Sequence, residues 1–180
     1  MTPATTLPAP VQSAMFIALV ALTILFPLMP MQLEAEAPAL PDFLFALIAA
    51  WILRRPNNAP MLLVAASFLA ADFILGRPVG LWALICLLSS EFFRGQHASL
   101  RDQLFVFEFL TFAIVLGVAL LAQTLILTIT LVPQPGASSM LEVYLMTLAS
   151  YPFVVALLHY VFRIRAPKLA ERSQRLGRVS

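Results

Sequence analysis

Six apolar runs, each closed by a proline, a glycine or charged residues, divide the chain into six candidate helices. The first, residues 11–29, carries no charge and breaks at Phe26-Pro27-Leu28-Met29-Pro30. The second, 40–53, opens at Pro41-Asp42 and stops before Arg54-Arg55-Pro56. Pro41 suits a first helical turn, where a missing N–H costs nothing. The third and fourth, 61–75 and 79–93, flank Gly76-Arg77-Pro78. The fifth, 104–132, has Glu108 near its start and ends at Pro133-Gln134-Pro135-Gly136. The sixth, 140–162, contains Pro152, which should bend the helix and free a carbonyl.

A membrane span takes about 20 apolar residues. The first run meets this. The second covers under about 20 Å of a hydrocarbon core about 30 Å thick, unless residues 37–40 join it or the bilayer thins. The third and fourth read as two short spans, a re-entrant hairpin or one long broken helix. The fifth exceeds a span and should tilt or project.

Composition narrows the class. Apolar residues make up 61% of the 180 and charged ones 11%, against roughly 25% charged in a soluble domain. A soluble enzyme domain, a disordered chain and a disulfide scaffold are excluded, which leaves an all-α integral membrane protein. Cys86 is the single cysteine, so no internal disulfide or cysteine metal cluster can form. His97 and His159 are not in ligand spacing. No HExxH, CxxC, P-loop or GxGxxG is present, and Ser89-Ser90-Glu91 makes no triad. Neither cofactor nor metal nor catalytic activity is expected. A cleaved signal peptide is disfavoured for the first run, since no Lys or Arg precedes Arg54 and no Ala-x-Ala site follows.

Charge position orients the spans. With six spans, Arg54, Arg55, Arg94, Arg101 and the tail bases Arg163, Arg165, Lys168, Arg172, Arg175 and Arg178 fall on one side. The other side holds Arg77 with Glu34, Glu36 and Asp42. The positive-inside rule then puts both termini in the cytoplasm: a tail at 1–10, a membrane domain at 11–162 and a basic tail at 163–180. Each tail base near an anionic leaflet is worth about 1 kcal/mol, so lipid is one expected partner. Docking of an acidic cytoplasmic protein is the other reading. Nucleic acid is not expected, because no binding motif accompanies the charge.

Charges within membrane segments call for a functional hypothesis. Asp42 reads either as a helix-start anion favoured by the dipole or as a packing or partner residue. Asp72 reads as an ion-pair partner of Arg77 and, preferably, as a polar tie between helices. Glu91 faces Arg94 three residues on. Glu108 should reach water or Arg101. Glu142 and Tyr144 read as an interface pair. Trp51 and Trp82 read as belt anchors. The pairs Ala49-Ala50, Ala65-Ala66 and Ala70-Ala71 permit close helix packing.

Together these features resemble the rod shape-determining protein MreD family over roughly residues 10–165. The resemblance rests on Pro41-Asp42-Phe43 through Trp51-Ile52-Leu53-Arg54-Arg55-Pro56; on Asp72, Gly76 and Gly80 at four-residue steps; on Phe92-Phe93-Arg94; and on Tyr151-Pro152-Phe153 before a basic tail. Phe68 departs from it, since a small residue is common four positions before the acid. The resemblance implies a non-catalytic scaffold of the cell-wall elongation complex in the bacterial inner membrane. Its implied partners are MreC, MreB (directly or indirectly), RodA and a class B penicillin-binding transpeptidase, with self-association also open. It also implies a fold similar to the S components of energy-coupling factor transporters, so the alternative is a small-molecule uptake subunit. Asp42, Asp72, Gly76, Arg77, Gly80 and Pro152 are the structural or partner-binding candidates.

Overall fold

The computed structural model describes residues 9–28, 40–56, 59–100, 104–132 and 136–160. Among them are six α-helices and no strand: α1 Ala9–Leu25, α2 Phe43–Arg54, α3 Met61–Ile74, α4 Leu81–Leu100, α5 Phe105–Ile129 and α6 Ala137–Tyr160. Of these, α5 and α6 are long and apolar enough to cross a membrane. Both tails largely lie outside the described residues.

Local chemistry sets the boundaries. α1 passes at Leu25 into a 3-10 turn, Phe26–Leu28, where Pro27 has no amide to extend the helical ladder. α2 starts later than position 40, because the Asp42 carboxylate accepts the Phe45 N–H at 3.0 Å and so marks the N-cap. Pro41 therefore precedes the cap instead of opening the first turn. α2 stops at Arg54, since Pro56 disfavours helical dihedrals at Arg55. At the end of α3, Gly76 takes φ +66° and the Arg77 N–H returns to the Asp72 carbonyl at 3.0 Å. That is a left-handed helix stop that glycine allows at low cost. α3 and α4 pack on each other beyond this turn, so one long broken helix over 61–93 is ruled out.

α4 runs well past the expected end at 93. Its added turns are polar but occupied: Arg94 donates to the Pro56 and Ala59 carbonyls at 2.7 and 2.8 Å. His97 Nδ1 donates to the Leu53 carbonyl at 2.7 Å. The apolar pattern ends near 93, but these contacts carry the helix on. α6 continues through Pro152 as one helix.

α2 is the axis of the bundle. Leu44 through Arg54 are all buried, and α1, α4 and α6 pack around them. A helix apolar on every face can sit in a protein interior or in lipid, and α2 takes the interior. Ala46, Ala49 and Ala50 are buried on it and let neighbouring backbones approach. α3 packs against α1 and α4, α4 against α5, and α5 against α6.

Aromatic rings bind these layers. The Phe45 ring on α2 lies 5.7–6.2 Å from Trp82, Phe93 and Phe112. Phe112 stacks on Tyr151 at 3.9 Å. Such pairs add about 0.5–1.5 kcal/mol beyond area burial. The belt-anchor reading of the tryptophans is corrected here: Trp51 is 0% and Trp82 3% exposed. Trp51 lies on the enclosed helix against Phe16, and the Trp82 indole is drawn inward by Asp42. Phe68 is also fully buried. Leu121, Leu125, Ile129 and Phe153 on α5 and α6 stay exposed.

Candidate functional site

The polar side chains gather at the two ends of α2. At its N-terminus, Asp42 joins four parts of the fold. Its Oδ1 accepts the Phe45 N–H within α2. Its Oδ2 accepts the Trp82 indole N–H of α4 at 2.9 Å and the Arg77 guanidinium of the α3–α4 turn at 3.3 Å. Its own N–H donates to the Thr147 hydroxyl of α6 at 2.9 Å. The helix-start and packing readings of Asp42 thus hold together, since the helix dipole favours an anion there. A cleft of about 20 Å³ beside it, lined in part by Thr23, Pro27, Asp42 and Arg77, admits water-sized groups.

Asp72 is fully buried. Its Oδ2 accepts the Gly80 and Ala83 N–H groups, each at 3.0 Å. Those amides open α4, so a side chain from α3 caps the next helix across the turn. Gly80 has φ +89°, a conformation that favours glycine. This geometry corrects the ion pair read between Asp72 and Arg77: the Arg77 guanidinium bonds to Asp42, and Asp72 ties α3 to α4 through backbone amides. The second carboxylate oxygen, Oδ1, has no hydrogen-bond partner among the described residues.

At the other end of α2, Arg54 is 8% exposed. It grips Glu108 of α5 with both terminal nitrogens, at 2.9 and 3.4 Å, and donates to the Ala50 carbonyl. The Tyr151 hydroxyl of α6 donates to Glu108 Oε1 at 2.6 Å. A forked arginine–carboxylate contact of this kind is among the stronger polar interactions. Glu108 thus reaches an arginine, Arg54, while Arg101 lies outside the described residues. The Glu91–Arg94 pair forms at 3.2 Å. Arg54, Arg94 and His97 together take the carbonyls at the end of α2 and the loop after it. Basic groups are favoured at a helix C-terminus.

The six candidates divide between the ends. Asp42, Asp72, Gly76, Arg77 and Gly80 sit together at the N-terminal end of α2, while Pro152 follows Tyr151 at the other. Thr147 and the pairing of Arg54 with Glu108 and Tyr151 were not foreseen from sequence, and Trp82 was read there as a belt anchor rather than as a partner of Asp42. Tyr151 and Arg54 lay within the segments that carried the family resemblance, which was the available signal. Glu142 is exposed on α6, and the Tyr144 hydroxyl donates to the Ala113 carbonyl of α5 at 3.3 Å.

The clusters act chemically as ties: helix caps, a bridging indole and a forked ion pair. Ser89 and Ser90 donate to the Ile85 and Cys86 carbonyls of their own helix. No group of three His, Cys, Asp or Glu able to hold a metal occurs among the described residues. The family model described as rod shape-determining protein MreD matches residues 10–161. No curated protein and no solved structure matches the chain.

Proposed function

The chain belongs to the rod shape-determining protein MreD family, and from that premise we propose that it is a non-catalytic scaffold of the bacterial cell-wall elongation complex. Membership itself carries a role in rod-shape determination as a membrane protein. The finer reading is that it crosses the inner membrane several times with both termini in the cytoplasm, and holds MreC, RodA and the class B transpeptidase together, with MreB reached directly or through them.

The observation that carries this reading is the family match across 10–161. The polar side chains support it: at both ends of α2 they are spent on joining helices. The outward faces of α5 and α6 keep apolar side chains exposed, among them Leu121, Leu125 and Phe153, which suit a partner's transmembrane helix. The alternative, an S-type uptake subunit, needs a pocket of about 300–1,000 Å³, whereas the cleft that the described residues form beside Asp42 measures about 20 Å³.

The test is a pull-down of the tagged chain from native membranes in mild detergent, read by mass spectrometry. Enrichment of MreC, RodA and the transpeptidase is expected. Enrichment of paired ATPases with a membrane coupling subunit would overturn the scaffold reading in favour of uptake.

A further inference from the structure

α3 and α5 both pack on α4, and they differ in length. α3 has 14 residues, about 21 Å of helix. Its exposed apolar side chains run from Met61 to Ile74. Among the described side chains, those of α4 and the turn before it run from Val79 to Phe92, about 20 Å. α5 has 25 residues, about 37 Å, with exposed apolar side chains up to Ile129. Polar groups bound the short face at both ends. The half-exposed Arg77 is tied to Asp42 at one end, and Arg94 is tied to Pro56 and Ala59 at the other.

A hydrocarbon core is about 30 Å thick. A long apolar face meets it by tilting, but tilt only shortens what a short face projects. The short face has no such adjustment, because its end groups are held in place by hydrogen bonds to the central helix and its flanking loop.

We propose that the α3–α4 face is a lipid-contact surface that holds the bilayer locally thin, while the outward face of α5 contacts bilayer of ordinary thickness. The protein then imposes a step in membrane thickness across its own width. Its short face recruits lipids with short acyl chains. This inference rests on the multi-pass membrane reading above.

The test places one tryptophan on each face of the full chain, as Leu69→Trp on α3 or Leu121→Trp on α5. Both positions are exposed. The native Trp51 and Trp82 are buried and supply a constant background. Each variant is reconstituted in phosphatidylcholine vesicles whose chains range from about 14 to about 22 carbons, with a brominated lipid as quencher. At Leu69→Trp, the shortest lipids should displace the quencher at least about twofold better than the longest. At Leu121→Trp, the preference should move to chains of middle length or longer.

The same optimum at both positions would overturn the proposal. Quenching at Leu121→Trp with none at Leu69→Trp would also overturn it, by showing the α3 face covered by protein such as a second copy. Quenching at neither position would instead remove the membrane reading on which the inference rests.

Discussion

Replacing Asp72 by alanine isolates the tie between α3 and α4. The carboxylate oxygen Oδ2 holds two amides at 3.0 Å. Gly80 is half-buried, so water can replace the lost acceptor there at a cost of about 1 kcal/mol. Ala83 is buried, and its N–H would be left without a partner at a cost of about 1–3 kcal/mol. The sum is about 2–4 kcal/mol, or roughly 5–15 °C of melting temperature for a chain of this size. Cys86 makes the measurement direct: it is the one cysteine and it is buried. A maleimide dye that fluoresces on thiol reaction will therefore report opening of the core as detergent-solubilised protein is heated. Circular dichroism supplies a second probe, since Cys86 lies one turn beyond Ala83. Asp72→Asn keeps an accepting oxygen and should lose less than about half as much. A melting temperature for Asp72→Ala within about 1 °C of the parent on both probes would refute the capping argument. Equal losses for Asn and Ala would show that the accepted hydrogen bonds are not what matters.

The Arg54–Glu108 pair should behave as a buried ion pair. Arg54→Met alone should cost about 3–5 kcal/mol by stranding Glu108, and Arg54→Met with Glu108→Leu should recover more than half of it, both read from thermal melts. Tyr151→Phe removes the 2.6 Å hydrogen bond to Glu108 and should lower stability by about 1.5–3 kcal/mol in the same assay. Two glycines should respond with opposite signs. Gly76→Ala places a side chain at φ +66° and should lower the melt by about 1–2 kcal/mol. Gly95→Ala fills open space inside α4 and should raise it by about 0.5–1 kcal/mol. For the proposed orientation, a cysteine replacing the exposed Ser138 should react with an impermeant thiol reagent in intact cells. Reaction only after permeabilisation would invert or break the topology.

Helix existence and order were legible in the apolar runs, because a run closed by proline, glycine or arginine leaves the backbone few alternatives. The α3–α4 turn was legible in Gly76-Arg77-Pro78. The end of α4 was not. Its added turns are held by carbonyls contributed by Leu53, Pro56 and Ala59, residues that no local pattern links to Arg94 and His97. The candidate site was half legible. Acidic residues in apolar surroundings drew attention to Asp42 and Asp72, but Arg77 was paired with Asp72, its near neighbour in sequence. In the fold its guanidinium reaches Asp42 across 35 positions.

The tryptophans mark the same boundary. From sequence, Trp51 and Trp82 near helix ends looked like interfacial anchors. What buried them was the choice of α2 as the central helix. Nothing in the apolarity of α2 distinguishes it from α3, since both are short and almost wholly apolar. The sequence by itself determined an all-helical membrane chain, six segments and the places where they turn, because apolar content and helix breakers act locally. The tertiary structure alone decided which helix lies at the centre and which charges meet. Those outcomes depend on side chains from α2, α4, α5 and α6 satisfying one another where water is excluded, and such partners are chosen by proximity in space.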